Sequence, residues 1–180
     1  MSSIIYKQAE TDEELHQILE LQRVNIPSVI SEEERLNQGF VTVEHTFMTL
    51  KAMNNKCPHS IAKYGENVVG YALSMVRDFK DEIEVLKPMF DKIDDSLHSD
   101  ISYIVMGQIC VDKVFRKQGI FRGLYKFMKQ QMQDKFDMII TEVDKLNTRS
   151  TEAHFAVGFK ALASYKSDNQ DWIIVYQNLN

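Results

Sequence analysis

Val111-Asp112-Lys113-Val114-Phe115-Arg116-Lys117-Gln118-Gly119-Ile120-Phe121-Arg122-Gly123-Leu124 decides the reading of this chain, because an apolar run ends there, a glycine turn follows and a helix begins. Upstream, Tyr103 to Val111 has the composition of a central strand. Downstream, Ile120, Leu124, Met128 and Met132 recur at helical spacing, and Met138 to Val143 returns as a strand. The segment therefore predicts a β-α-β unit with a right-handed crossover. At such a turn the first N–H groups of the helix lack intrahelical partners and converge on one spot, which suits phosphate. Arg116, Lys117 and Arg122 gather there, although the helix dipole disfavours cations in a first turn by about 0.3–1 kcal/mol each. An anionic ligand would reverse that cost; without one, Gly119 relieves a tight turn and the cations are a solvated helix start. Neither Gly-x-Gly-x-x-Gly nor Gly-x-x-x-x-Gly-Lys-Ser/Thr is present, so dinucleotide and phosphate-loop readings are disfavoured.

Working outward, Ile4 to Ala9 reads as a first strand. Thr11 with Glu14 forms a capping box opening a helix that carries Leu15, Ile18, Leu19 and Gln22 on one face. A second box, Ser31 with Glu34, opens another short helix, and Pro27 separates the two. Phe40 to Glu44 alternates like a strand but equally reads as a loop feeding a helix over Thr46 to Asn54. Ser60 to Tyr64 and Val68 to Val76 are strands joined by Gly65-Glu66-Asn67. Phe79, Ile83, Leu86, Phe90 and Ile93 follow helical spacing, with Pro88 dividing the stretch into two short helices. A last helix from about Thr148 to Ala156 and strands near Lys160 to Tyr165 and Trp172 to Gln177 complete an α/β order.

The 180 residues fit one domain. A formal charge of -5 argues against general nucleic-acid binding, which needs an excess of Lys and Arg over a broad surface. No apolar run spans a bilayer, and the Met1-Ser2-Ser3-Ile4 start lacks the features of a signal peptide, so cytoplasmic residence without a membrane partner is expected. Cys57 and Cys110 lie far apart and read as reduced thiols. The histidines, His16, His45, His59, His98 and His154, include no His-x-x-x-His pair, so no metal site is expected.

The turn resembles motif A of the GNAT superfamily of N-acetyltransferases, Arg/Gln-x-x-Gly-x-Gly/Ala, with Arg116 and Gly119 matching and Phe121 in the slot of the final small residue. Asn147 to Phe159, ending in Gly158-Phe159, resembles motif B, and Ile61 to Met75 with Gly70-Tyr71 resembles the hairpin upstream. The set runs from about 61 to 159 in the family's order. The resemblance implies an α/β (α+β) fold, a mixed and centrally twisted sheet of about six to seven strands flanked by helices. It implies acetyl-CoA as co-substrate and direct transfer to an amine. Ile109, Cys110 and Val111 would lie along the pantetheine arm. The backbone of Lys117, Gln118, Gly119, Ile120, Phe121 and Arg122 would hold the pyrophosphate, and Asn147 would touch the arm while capping the last helix. Phe121 in a small-residue slot would narrow the approach to phosphate.

A lysine-like amine is about 4.6 kcal/mol from its neutral form at pH 7, so a base or a desolvating pocket must contribute, whereas a cysteine-like thiolate leaves at a cost of only about 2 kcal/mol. For the acid, the family's usual tyrosine position holds His154, which reads either as a proton donor or as a packing residue of the last helix. For the base, Tyr103 to Val111 holds no carboxylate and Gln108 occupies the expected place. Glu142 on the next strand is the first choice and Asp144 the second; a strand-end carboxylate is otherwise merely hydrated. The N-terminal helices, Gly39 to His45 and the Phe79 to Leu97 insert should form the acceptor side. Glu32, Glu33 and Glu34 would attract a cationic amine or simply open a helix. A small-molecule amine is the expected partner, and similar proteins are frequently homodimers. The competing readings are a non-catalytic acyl-CoA sensor and an acetyltransferase of protein N-termini or lysines.

Overall fold

The computed structural model describes residues 3–26, 28, 29, 31, 41 and 43–180. The second capping box, the Glu32 to Glu34 run and Phe40 lie outside the described residues, while Val43 and Glu44 belong to no regular element. In chain order the elements are β1 (Ile4–Gln8), α1 (Asp12–Arg23), α2 (Phe47–Lys56), β2 (Ser60–Tyr64), β3 (Asn67–Met75), α3 (Lys87–Ser96), β4 (Tyr103–Val111), α4 (Ile120–Met132), β5 (Met138–Asp144), α5 (Thr148–Ala156), β6 (Lys160–Ser167) and β7 (Gln170–Asn178). They build one seven-stranded sheet of order β1-β2-β3-β4-β5-β7-β6. Only the β4–β5 pair is parallel, as the β-α-β reading requires.

Helices cover both faces of the sheet. One core joins Leu15, Ile18 and Leu21 of α1, Leu50 and Met53 of α2, and Phe90 and Ile93 of α3 to the sheet. The other seats Ile120, Leu124, Tyr125, Met128 and Met132 of α4 against Ile104, Ile139 and Val175. The α4 stripe is therefore the one its spacing predicts. Thr11 and Glu14 form the reciprocal capping box at the start of α1. Thr46 caps α2, its side chain accepting from the Thr49 N–H.

Two readings change. Pro88 does not divide two helices; it sits in the first turn of α3, where its missing N–H costs nothing, and 3₁₀ turns at Arg77–Lys80 and Glu84–Leu86 precede it. The last two strands are longer than expected because they meet at a two-residue turn, Asp168-Asn169, with φ of 49° and 61°. Asp and Asn tolerate this left-handed geometry better than most residues, so the hairpin closes without glycine. Among the described residues, no helix is long and apolar enough to cross a membrane.

His59 ties α2 to the sheet. Its Nε2 bonds to the Leu50 carbonyl at 3.1 Å, and its Nδ1 accepts the Ser74 N–H at 3.0 Å. Burial pushes His59 down to about 3 and His45 and His154 to about 4, so all three are neutral in the folded protein. An unfolded histidine takes up a proton below about pH 6.5. The stability these rings contribute is thus present above that pH and is lost as the pH falls toward 4. Urea unfolding at pH 7 and pH 5 should give a stability lower by a few kcal/mol at pH 5, the sum of these increments at about 1.4 kcal/mol per proton and pH unit less any opposing group. Equal stabilities would contradict the assignment of three neutral rings, two buried and one half-buried.

Candidate functional site

The site begins with a mismatch between strands. Along the β3–β4 pair, Ala72 faces Ile109 and Ser74 faces Met106, so Gly107 and Gln108 of β4 stand opposite Leu73 alone. Such a bulge bends the strand that carries the extra residue. On its other side β4 pairs with β5 only over Tyr103 to Val105 against Met138 to Ile140. Beyond that point β4 stays with β3, β5 stays with β7, and the two parallel strands part company. Among the described residues the edge of β4 from Met106 onward has no strand partner on that side, and Gly107 is exposed in mid-strand.

At the wide end of this gap the chain turns through Asp112 to Gly119. The Asp112 carboxylate accepts the Val114 N–H and starts a short 3₁₀ turn. Lys117 and Gly119 are both left-handed, with φ of 62° and 81°, so the chain curls and its amides turn toward one side. Gly119 is the residue before α4, and no side chain caps that helix. The first α4 amide with an acceptor is that of Gly123, bonded to the Gly119 carbonyl at 2.9 Å. The amides of Ile120, Phe121 and Arg122 have no acceptor among the described residues, which leaves them for an anion. A Cβ built on Gly119 meets nothing within 4 Å, so the cradle is open and only φ favours glycine there. At Gly123 a Cβ would run into the Tyr6 ring, so that glycine serves the close approach of α4 to β1.

A groove of about 670 Å³ runs from this cradle into the gap, lined by Ile109, Cys110 and Val111 on one wall and by Asn147, Ser150 and Ala153 on the other. Its volume is that of a pocket for a sizeable small molecule. A further hollow of about 50 Å³ continues it between β4 and β5. Val41, Ile109, Asn147 and Ser150 line both, so they mark the junction. Asn147 caps α5 by accepting the Ser150 N–H at 3.2 Å. Arg116 braces the wall, donating from Nε to the Val111 carbonyl at 3.1 Å and from Nη2 to Asn25 Oδ1 at 2.7 Å. Asn25 is buried and its carbonyl accepts the Val41 N–H, so the cradle is tied to the segment that lines the junction.

Glu142 and Asp144 face the hollow. Burial pushes the Glu142 carboxyl up to about 7, against the pull of the Tyr165 hydroxyl that donates to its Oε2. Asp144 accepts the Leu146 N–H at 2.9 Å and Gln170 Nε2 at 3.2 Å. Gln108, which stands where a carboxylate was expected, is fully engaged: Tyr71 donates to its Oε1 at 2.6 Å and its Nε2 donates to the Val43 carbonyl at 2.7 Å. Burial raises the Cys110 thiol to about 11, so it stays protonated.

The structure bears on three expectations. Phe121 lines the groove without filling it, its ring standing edge-on to Tyr125 at 5.2 Å and to His154 at 5.3 Å. His154 is buried within that aromatic cluster and both ring nitrogens are taken. A carbonyl can only accept, so Nδ1, 2.7 Å from the Ser150 carbonyl, carries the hydrogen and Nε2 accepts from the Tyr125 hydroxyl at 2.7 Å. The ring is neutral, and its one proton is committed to the helix backbone. The Phe79 to Leu97 insert, expected on the acceptor side, contributes no lining residue and packs Phe79, Met89, Phe90 and Ile93 into the core. Sequence reasoning passed over Tyr165, Ser150, Asn25 and Trp172; helix phase alone could have offered Ser150, one turn after the Asn147 cap.

Known proteins share this fold. The family model described as the acetyltransferase (GNAT) family matches residues 15–159. No curated protein matches the chain by sequence. Among solved structures, the ribosomal-protein-S18-alanine N-acetyltransferase of Escherichia coli superposes with a TM-score of 0.66 at 12% identity, over 98% of this chain and 94% of that one. A chain of the NatC complex bound to Gag peptide and CoA gives 0.67 at 16%, over 99% of each. The yncA protein of Salmonella typhimurium, solved with its cofactor acetyl-CoA, gives 0.65 at 12%, over 98% and 94%. At such identities the likeness shows the fold.

The raised carboxyl has a cost that can be measured. Between about 4.5, its ordinary value, and about 7 the folded protein keeps a proton on Glu142 that the unfolded chain has lost. Glu142 therefore subtracts stability as the pH rises through that window, and the loss is complete above it. Glu142→Gln should be more stable than the parent at pH 8, by on the order of 3 kcal/mol at 1.36 kcal/mol per unit, and little different at pH 4. Denaturant titrations at both pH values check this, and a variant less stable at pH 8 would contradict it.

Proposed function

The chain belongs to the GNAT family of acetyltransferases, and on that premise we propose that it moves an acetyl group from acetyl-CoA directly to the primary amine of a small molecule. The observation that carries this reading is continuity: unbonded amides at the α4 start open into a groove that shares Val41, Ile109, Asn147 and Ser150 with the hollow holding a carboxylate raised to about 7. Acetyl-CoA, when bound, supplies an acyl group on a sulfur leaving group. The amides of Lys117 to Arg122 hold its pyrophosphate, with Lys117 and Arg122 adding charge at the rim. The unpaired edge of β4 over Ile109, Cys110 and Val111 runs along the pantetheine arm, and Asn147 flanks it from α5. Arg116 serves chiefly to brace this wall.

Glu142 is the base. Its value near 7 leaves a large share ionised at neutral pH while keeping it basic enough to take a proton from an ammonium whose own value the buried hollow lowers. The Tyr165 hydroxyl fixes the direction of the carboxylate. The thiolate needs no dedicated acid, since its formation costs only about 2 kcal/mol at pH 7. His154 is left out of the chemistry and holds α5 against α4. What supports turnover over mere binding is Glu142, which supplies from β5 the carboxylate that β4 lacks. The smallness of the hollow favours a compact amine over a folded protein acceptor.

Thiol release from acetyl-CoA across polyamines, arylamines, aminoglycosides, amino acids and short peptides tests the proposal. A small amine should be turned over, with kcat/KM rising as the pH passes about 7. Glu142→Gln should lower kcat about 10²-fold or more with cofactor affinity retained. Unchanged kcat in that variant would remove Glu142 from the chemistry, and a cofactor-induced melting shift without turnover on any amine would favour a sensor.

A further inference from the structure

The groove carries opposite charge at its two ends. Arg116, Lys117, Arg122 and Arg149 line the cradle end with a single carboxylate, Glu152. Glu142 and Asp144 line the far end, and among the described residues no lysine or arginine joins them. Local structure holds the two carboxylates in place. They are two apart on β5 and so share a face of the sheet. Trp172 stands directly across from Asp144, and Tyr165 directly across from Trp172, so these cross-strand neighbours carry no positive charge. Lys145, next in sequence, is exposed and turned to Asp171 at 4.0 Å.

We propose that this end is a charge filter that admits amines carrying no carboxylate beside the reacting nitrogen and turns away free α-amino acids. The inference rests on the reading that the hollow receives the acceptor. An ammonium is drawn toward Glu142 and Asp144, and the Trp172 ring offers it a further favourable face. In an α-amino acid the carboxylate lies two bonds from the nitrogen and is carried in with it. Like charges about 6 Å apart at an effective dielectric of about 20 repel by roughly a hundredfold in equilibrium constant. Among the described residues no cation at this end repays that repulsion. As the N–C bond forms and the C–S bond breaks, the amine proton passes to Glu142. The neutral amide that results has lost the charge that held the acceptor, which favours its release.

The test compares matched pairs in the thiol-release assay: tyramine with tyrosine, isoamylamine with leucine, and phenylalanine amide with phenylalanine. The carboxylate-free member of a pair should show at least tenfold higher kcat/KM. Asp144→Asn, which keeps an acceptor for the Leu146 N–H, should narrow that ratio. Should this variant fail to fold, the ratio in the parent protein decides alone. Equal or faster turnover of the amino acid members would overturn the filter while leaving the acetyltransferase reading standing. Failure of every pair with acetyl-CoA bound, seen as a raised melting temperature, would overturn the assignment of the hollow to a small amine and the filter with it.

Discussion

Everything at the site depends on the bulge in β4. A parallel pair that stayed in register to its end would bury its backbone groups and leave no room between the strands. Gly107 and Gln108 crowd opposite Leu73, and β4 separates from β5 immediately beyond Val105 and Ile140. From that one irregularity follow an unpaired strand edge, a groove between strands and a hollow beneath it. The left-handed pair Lys117 and Gly119 then turns the first α4 amides to the mouth of the groove. Local structure makes the cradle of free amides; the strand defect leads from it toward the carboxylate.

Polar groups near the groove divide by whether their hydrogen bonds are complete. Gln108, His154 and the Arg116 guanidinium are engaged by partners inside the protein, and each holds two elements together. Glu142 is different: one tyrosine hydroxyl meets a carboxylate that burial already destabilises. A group held in a costly state beside an open cavity is suited to proton transfer, and a neutral ring with both nitrogens committed is not. The same burial that makes Glu142 basic makes it a burden on stability at high pH, a trade found where function sets the environment.

Much of the framework was legible because it is local. The capping box at Thr11 and Glu14, the α4 stripe and the glycine turn at Gly119 each depend on residues a few positions apart, and all stand as read. The order of β4, α4 and β5 follows from them. What was not legible depends on register and side-chain direction. Tyr165 meets Glu142 only because the β6–β7 hairpin closes at Asp168-Asn169, a turn without glycine. His154 read equally as a proton donor and as a packing residue because its partner Tyr125 is 29 positions away. Phe121 read as an obstruction because the sequence does not say that its ring turns toward that histidine. The bulge itself left one trace in the sequence, a glycine in mid-strand at Gly107.

The proposed activity requires the free amides at the α4 start to receive a pyrophosphate. Backbone amide resonances followed by NMR during titration with coenzyme A, and separately with pantetheine, which lacks the pyrophosphate, address this directly. Coenzyme A should shift Gly119, Ile120, Phe121 and Arg122 strongly, whereas pantetheine should move only residues along β4 near Ile109 to Val111. Coenzyme A binding that leaves the Gly119 to Arg122 amides unmoved would contradict it.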